Sequence, residues 1–329
     1  MKKLFLIVSS AALTIVIFDI AYTALFFKNF YKTSHPLGVM FQKEFTDTNC
    51  YQLDETVGYK PKWGNCGFLD LEKLKTKSEN KNAIETSNAK RILIIGDSNT
   101  AWSNFDKILQ QKINSQKMNF PTQYQVYKIG ISGYNTVQET DLFFNDIVSF
   151  SWDYLILQFT MNDFEYFPVI YQNGGKVLLM AADGTTVIPI QNLFRYSSFY
   201  KAALITVLNN NSRKVERIEN VAKVKNALKK FNDYARSRQI PFLVVIYPIF
   251  DKHQWPTERQ ELITTLNSFD IDYTDLFNIP KVKTNPVKYA ITNNGGYDII
   301  HPNKSFDQIV ADSIYDFLQE RIVENEKIK

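Results

Sequence analysis

Histidine and cysteine are the scarce residues of this chain, three and two among 329. So few soft ligands argue against a zinc site of the Cys/His kind. Charge of one sign is not in excess either. A formal net charge of +4 is too mild to argue for a nucleic-acid partner. Repeats at solenoid or propeller periods are absent. So are GxxxxGK[ST] and, after the first strand of the main domain, GxGxxG, which removes the two usual phosphate-loop fingerprints. What remains is ordinary globular material, 45% hydrophobic and 22% charged, in a length that suits one or two domains.

The N-terminus departs from that composition. Residues 4–27, LFLIVSSAALTIVIFDIAYTALFF, carry one charge, Asp19, and follow Lys2 and Lys3. As a helix this stretch spans roughly 36 Å, more than the ~30 Å of a bilayer core. Two readings compete. One is an uncleaved signal anchor with Lys2 and Lys3 inside the cell. The other is a signal peptide with an apolar core at residues 4–18, cut near Ala21-Tyr22-Thr23. The small-x-small site is poor, which favours the anchor. Lys28 and Lys32 on the far side weaken the charge asymmetry. Both readings place the rest of the chain outside the cytosol, periplasmic or extracellular. A soluble buried helix fits less well, because core helices are rarely apolar all round for so long.

Cys50 and Cys66 agree with export. Bonded to each other, they close a short loop before the main domain, worth about 3 kcal/mol in the chain-entropy model. Two free thiols are the alternative, since spacing does not decide between them.

Residues 28–90 form a membrane-proximal segment and linker, with turn signals at Gly58, Pro61 and Gly64 and a polar, weakly periodic run over 72–90. The main domain is expected over 91–329. Strands are predicted at 91–96, 124–130, 153–159 and 241–248, with a weaker one at 271–277. Three of them are continuously apolar, as parallel strands covered on both faces are. Helices are predicted at 101–117, 137–150, 213–238 and 304–322. The third places Val215, Ile218, Val221, Ala222, Leu228 and Phe231 on one side. Its opposite side carries Lys214, Lys223, Lys225, Lys229 and Lys230, a solvated face or a contact for an acidic surface. Strands alternating with helices imply a doubly wound α/β sheet. Residues 164–200 break the pattern. Asn-Gly-Gly and Asp-Gly turn signals between apolar runs predict an inserted hairpin near the mouth of the site.

In an open α/β sheet the ligand site lies beyond the carboxyl ends of the strands. Ser98, in RILIIGDSNTAW, falls there. A helix starting at Asn99 or Thr100 would set Ser98 at its positive end, a place suited to an oxyanion. A plain N-cap is the competing role. A serine nucleophile needs a base, and the chain offers His35, His253 and His301. His301 stands out because Asp298 lies three residues before it, in a loop ahead of the last helix. That spacing lets a carboxylate orient the imidazole. Asn162, soon after the third strand, can project an amide toward the Ser98 turn, and Gly133 offers an unobstructed backbone N–H. Each of these last two has a bland alternative, a cap or a turn.

The blocks IIGDSNT, IGISGYNT, FTMNDF and DIIHPN, in that order over about 91–320, resemble the SGNH (GDSL-type) hydrolase family. The resemblance implies a three-layer α/β/α, flavodoxin-like fold and an esterase. It implies Ser98 as nucleophile, His301 as base and Asp298 as its partner. The oxyanion hole would be the Ser98 N–H, the Gly133 N–H and Asn162. Neither metal nor cofactor is needed. Two positions depart from the family pattern: Thr160 stands where a Gly is usual, and Lys128 where an Asn commonly precedes the second-block glycine. An α/β-hydrolase fits less well, because the fifth residue of its GxSxG is Thr100 here and its acid normally stands well before the histidine. The expected substrate is an O-acyl ester, possibly O-acetyl, on an envelope or extracellular glycan, with lipid or small esters also open. The same site serves an O-acyltransferase. A non-catalytic glycan-binding or scaffold protein on this fold is the alternative from another class.

Overall fold

The structure is a computed structural model that describes residues 40–42, 50–54, 56–72, 74, 89–115, 123–164, 169–173, 176–181, 184–187, 221–251, 255–293 and 296–327, with Thr14, Ile17, Phe18 and Ala21. The expected anchor at 4–27 lies outside this set apart from those four helical positions, as do His35, His253, Lys214, Val215, Ile218 and most of 72–90. Among the described residues no helix is long and apolar enough to cross a membrane. The chain divides into two compact units, Met1–Lys60 with Tyr166–Glu219, and Pro61–Glu165 with Asn220–Lys329.

In the first unit, β1 (Met40–Gln42) pairs in parallel with β7 (Val169–Asn173), which leads into the antiparallel strands β8 (Lys176–Ala181) and β9 (Gly184–Val187). The predicted single hairpin is therefore a three-stranded meander joined by β1. Its registers set Asn173 opposite Lys176 and Ala181 opposite Gly184. Strand β2 (Tyr51–Asp54) pairs with β3 (Gly58–Pro61). Asp54 Oδ1 accepts from Thr56 N and Val57 N at 2.9 and 3.2 Å, which shapes the turn between them.

The second unit is built on five strands: β4 (Lys90–Gly96), β5 (Tyr124–Gly130), β6 (Tyr154–Phe159), β10 (Phe242–Ile246) and β11 (Asp272–Asp275). All four pairings are parallel, in the order β11-β10-β6-β4-β5. Counted within this sheet the order is the flavodoxin-like 2-1-3-4-5, whose switch point lies between β4 and β6. The strands match the predicted runs to within a few residues at each end.

The helices differ more from expectation. The one predicted at 101–117 is two: α1 (Ser98–Trp102) and α2 (Phe105–Ser115). Ser103 Oγ bonds back to the Thr100 carbonyl at 2.8 Å, Asn104 N donates to Asp307 Oδ2 at 2.9 Å, and Lys128 Nζ donates to the Ser103 carbonyl at 2.6 Å. These partners satisfy the backbone groups that a continuous helix would have used. The next helix, α3 (Thr136–Leu142), runs into a π-turn at Phe143–Ile147. In α4 (residues 221–238) the buried stripe is Val224, Ala227, Leu228, Phe231 and Ala235, so Leu228 and Phe231 face inward as expected while Ala222 is exposed. Lys229 pairs with Asp233 one turn on and Lys225 with Glu261, which leaves this lysine side a solvated face. Helix α5 (Pro256–Ser268) was not foreseen, although Pro256 at its first turn is a start signal. After α6 (Pro280–Thr284) come the hairpin β12 (Ala290–Asn293) and β13 (Gly296–Pro302), then α7 (Asp307–Lys327).

Side chains alternate across the sheet. Ile92, Ile94, Ile156, Leu243 and Val245 form one core with Leu109 and Ile113 of α2 and Ile309, Val310, Ile314 and Leu318 of α7. On the other face Phe143 and Phe231 meet at 5.1 Å, and Phe231 meets Phe242 at 5.8 Å. Two glycines let α1 sit hard against the strand ends. A Cβ on Gly130 would lie 2.2 Å from Ala101 N, and one on Gly96 would lie 2.3 Å from Thr100 Oγ1. Gly130→Ala is accordingly expected to cost about 1–3 kcal/mol through overpacking. A shift in the urea midpoint would report it, and an unchanged midpoint would show that α1 can move aside.

Candidate active site

The predicted residues come from three strand ends and a hairpin. β4 delivers Gly96, Asp97 and Ser98 at the switch point. The N-cap of α1 is Asp97, whose Oδ1 accepts from Asn99 N at 2.7 Å; Ser98 is the first helical residue. This corrects the expected helix start by a residue and disposes of Ser98 as the cap. The helix above it is also too short to concentrate much dipole.

A polar network fixes this turn from below. Gln158, 1% exposed inside the apolar strand β6, takes up the Asp97 N–H at 3.2 Å and the Thr100 Oγ1–H at 3.0 Å through its Oε1. Its Nε2 donates to Thr160 Oγ1 at 2.6 Å, and the same hydroxyl accepts from Asn99 Nδ2 at 2.9 Å. Thr160, a departure from the family pattern, is thus a fully buried hub between the β4 and β6 ends. Lys128, the other departure, bonds Ser103 O and pairs with Asp106 at 3.1 Å, holding the break between α1 and α2. Gln158 was not singled out from sequence; its signal was a lone amide in an otherwise apolar run.

His301 lies in β13, not in a loop, and the hairpin register explains its position. Ile291 faces Asp298 but the next partner, Ala290, faces Pro302, so Ile299, Ile300 and His301 bulge from the ladder. Asp298 Oδ1 collects the freed N–H groups of Ile300 and His301, both at 3.1 Å, while Oδ2 lies 2.7 Å from His301 Nδ1. Phe250 N donates to the Ile299 carbonyl at 2.7 Å and pins the bulge from behind. Asn303 fixes the exit, with its Nδ2 on the Lys288 and Ala290 carbonyls at 2.8 and 3.0 Å.

The result is a contact across 203 positions: Ser98 Oγ lies 2.8 Å from His301 Nε2. Burial alone would raise Asp298, but hydrogen bonds and charge from His301 and the two backbone N–H groups bring it below the usual carboxylate range. An ionised Asp298 can only accept, so Nδ1 carries the imidazole proton and Nε2 presents its lone pair to Ser98. Gly133 and Asn162 follow β5 and β6, the strands on either side of β4. Gly133 holds φ +81° in the turn after Ile131, where a side chain would be strained. Asn162 sits in a 3₁₀ turn, Met161–Phe164, with its Oδ1 buried and lacking a hydrogen-bond partner. Neither cysteine is free; Cys50 and Cys66 are disulfide-bonded.

Three acids lie buried at or near the Ser98 turn, Asp97, Glu139 and Asp163. Burial, opposed by the Asn99 N–H and by His301, pushes Asp97 up to about 6. Burial, then the charges of Asp163 and Asp97, push Glu139 well above its usual value; burial and Asp97 do the same to Asp163. Both Glu139 oxygens and Asp163 Oδ1 lack partners, which a neutral acid tolerates better than a carboxylate. The helix α3 that carries Glu139 begins with a capping box, Asn135 with Gln138, a pattern readable in N-T-V-Q.

No protein-family model matches the chain, and no curated protein matches it. Among solved structures it is similar to a lipase/acylhydrolase from Enterococcus faecalis, with 14% identity, 70% of this chain and 96% of that one covered, and a TM-score of 0.44. It is also similar to an acetylxylan esterase from Geobacillus stearothermophilus, with 12% identity, coverages of 69% and 93%, and a TM-score of 0.41. A third is the acetyl xylan esterase AlAXEase, with 15% identity, coverages of 69% and 98%, and a TM-score of 0.43.

The raised acids set a pH dependence. Folded Asp97 keeps its proton up to about 6, against 3.8 ordinarily, so its contribution to stability is full below 3.8 and is lost as pH rises through 6. For one group the slope is at most about 1.4 kcal/mol per pH unit. Asp97→Asn keeps a cap acceptor and should flatten this part of the curve. Urea midpoints for both proteins between pH 4 and 7 test it; parallel curves would refute the assignment.

Proposed function

We propose that this chain is an exported serine esterase of the SGNH type that cleaves O-acyl esters through an acyl-serine intermediate. One observation carries the proposal: the Ser98–His301–Asp298 relay, with 2.8 and 2.7 Å links, at the switch point of a parallel sheet. Such alignment of hydroxyl, imidazole and carboxylate activates a serine. Export is supported by the apolar stretch 4–27 and by the bonded cysteines, since disulfides persist in oxidising compartments. The first of these also supports membrane anchoring.

In this mechanism Ser98 Oγ bonds to the ester carbonyl carbon while its proton passes to His301 Nε2. The carbonyl oxygen becomes an anion, held by the N–H groups of Ser98 and Gly133 and the amide of Asn162. Asp298 stays ionised and steadies the imidazolium. The intermediate collapses, the bond from carbon to the alcohol oxygen breaks, and His301 returns the proton to that oxygen. Water then attacks the acyl-serine, giving a proton to His301. The second collapse frees the acid and restores the Ser98 hydroxyl.

A fluorophosphonate probe should label the protein, and Ser98→Ala should abolish labelling. Hydrolysis of an acetyl ester by Ser98→Ala should fall at least about 10⁴-fold. Asn162→Ala should lower kcat by about 10²–10³-fold as one oxyanion donor is lost. A folded protein that never labels would return the chain to a binding or scaffold role. Acetyl transfer to an added sugar in preference to water would make it an acyltransferase.

A further inference from the structure

His301 is held at both ring nitrogens, by Asp298 at Nδ1 and by Ser98 at Nε2. Hydrogen bonds to ring nitrogens act in the plane of the imidazole. They fix the ring within that plane and leave it free to rock about the line that joins the two partners. A contact against the flat face of the ring closes that motion. Trp102 makes one: its ring centroid lies 4.5 Å from that of His301, with 33° between the planes.

The local sequence accounts for the indole's place. Ser98 and Trp102 are the first and last residues of α1, four positions apart, and side chains at that spacing share one face of a helix. One helical turn thus offers a hydroxyl to Nε2 and an indole to the ring face. The turn is seated closely against Gly96 and Gly130 and tied through Thr100 to Gln158. Burial does not explain Trp102. It is 59% exposed, the most exposed large apolar residue among the described ones. The group that it covers is the imidazole, whose side chain is 19% exposed.

The contact also has an electrical sense. The face of an indole is negative and attracts a cation within about 6 Å of its centroid. On the proposed mechanism His301 becomes a cation when it takes the Ser98 proton. The attraction therefore strengthens as the transition state forms, and a contact of that kind raises kcat rather than tightening substrate binding.

Resting on the serine-hydrolase reading above, we propose that Trp102 is a positioning residue: its indole face holds the His301 imidazole in line between Asp298 and Ser98 and favours the imidazolium formed on proton transfer. Trp102 takes part in no covalent step.

The test compares Trp102→Phe, Trp102→Leu and Trp102→Ala in the full-length chain by ethyl acetate hydrolysis, by the rate of fluorophosphonate labelling and by urea midpoint. In Trp102→Ala and Trp102→Leu, kcat and the labelling rate should both fall about fivefold to tenfold, with KM nearly unchanged. Trp102→Phe, which keeps a ring face, should restore most of the loss. In Ser98→Ala the His301 ring C–H resonances should lie upfield, in the ring current of the indole, and adding Trp102→Leu should move them downfield. A rise in KM at constant kcat would overturn the proposal by making Trp102 a substrate contact. Equal rates in Trp102→Leu and Trp102→Phe would overturn it too, since bulk without a ring face would then suffice. So would a lower urea midpoint with labelling unchanged, the mark of a structural role alone. Labelling separates the two layers. If Ser98 labels and the rate is the same in all three Trp102 variants as in the parent chain, the positioning role alone falls. If Ser98 never labels, the serine-hydrolase reading falls and this role with it.

Discussion

A hydroxyl at the tip of a five-residue helix holds its place only if the turn beneath it cannot shift, and here that constraint is the amide of Gln158. Buried in β6, it binds the backbone at Asp97 and the Thr100 hydroxyl on one side and Thr160 on the other. The amide is costly to bury unless every bond is made, so the ends of β4 and β6 are locked together at the point where the strand order reverses. Gly96 and Gly130 complete the constraint by letting α1 approach to a distance no Cβ would allow. The reach from Ser98 to His301 follows from this fixed turn.

The site contains two kinds of charge control. On the solvent side, Asp298 is kept ionised by the imidazole and by the N–H groups of its own bulge. On the core side, Glu139 and Asp163 are held toward their neutral forms by burial, with Asp163 and Asp97 adding to the effect at Glu139 and Asp97 at Asp163. The contrast fits the chemistry proposed for the site. A carboxylate beside the imidazole favours the transient positive charge, whereas a full set of charges behind the serine would oppose the developing oxyanion.

The sheet was legible because continuously apolar runs such as RILIIG and DYLILQF have few alternatives to buried parallel strands. The helices were less so, because their ends are decided by partners distant in sequence. The break at Ser103–Asn104 depends on Lys128 and Asp307, and no local pattern announces either. The phase of α4 was misjudged at Ala222 for the same reason, since packing and not propensity sets which stripe turns inward. The hairpin carrying His301 was readable and was missed: Asn294-Gly295 between short apolar runs is a strong two-residue turn signal. The convergence of Ser98, Asp298 and His301 was visible as motif order; the bulge that makes it possible was not, because register is a property of the pair. Export and the N-terminal helix rest on the sequence.

Ser98 and His301, the proposed nucleophile and base, belong to parts of the fold with different anchorage. Ser98 follows β4, an interior strand of the five-stranded sheet, while His301 and Asp298 ride on a two-stranded ribbon that is largely open to water. Local opening of such a ribbon requires far less free energy than global unfolding. On the proposed mechanism, warming would part His301 from Ser98 while the sheet is still intact, so that loss of activity would precede melting.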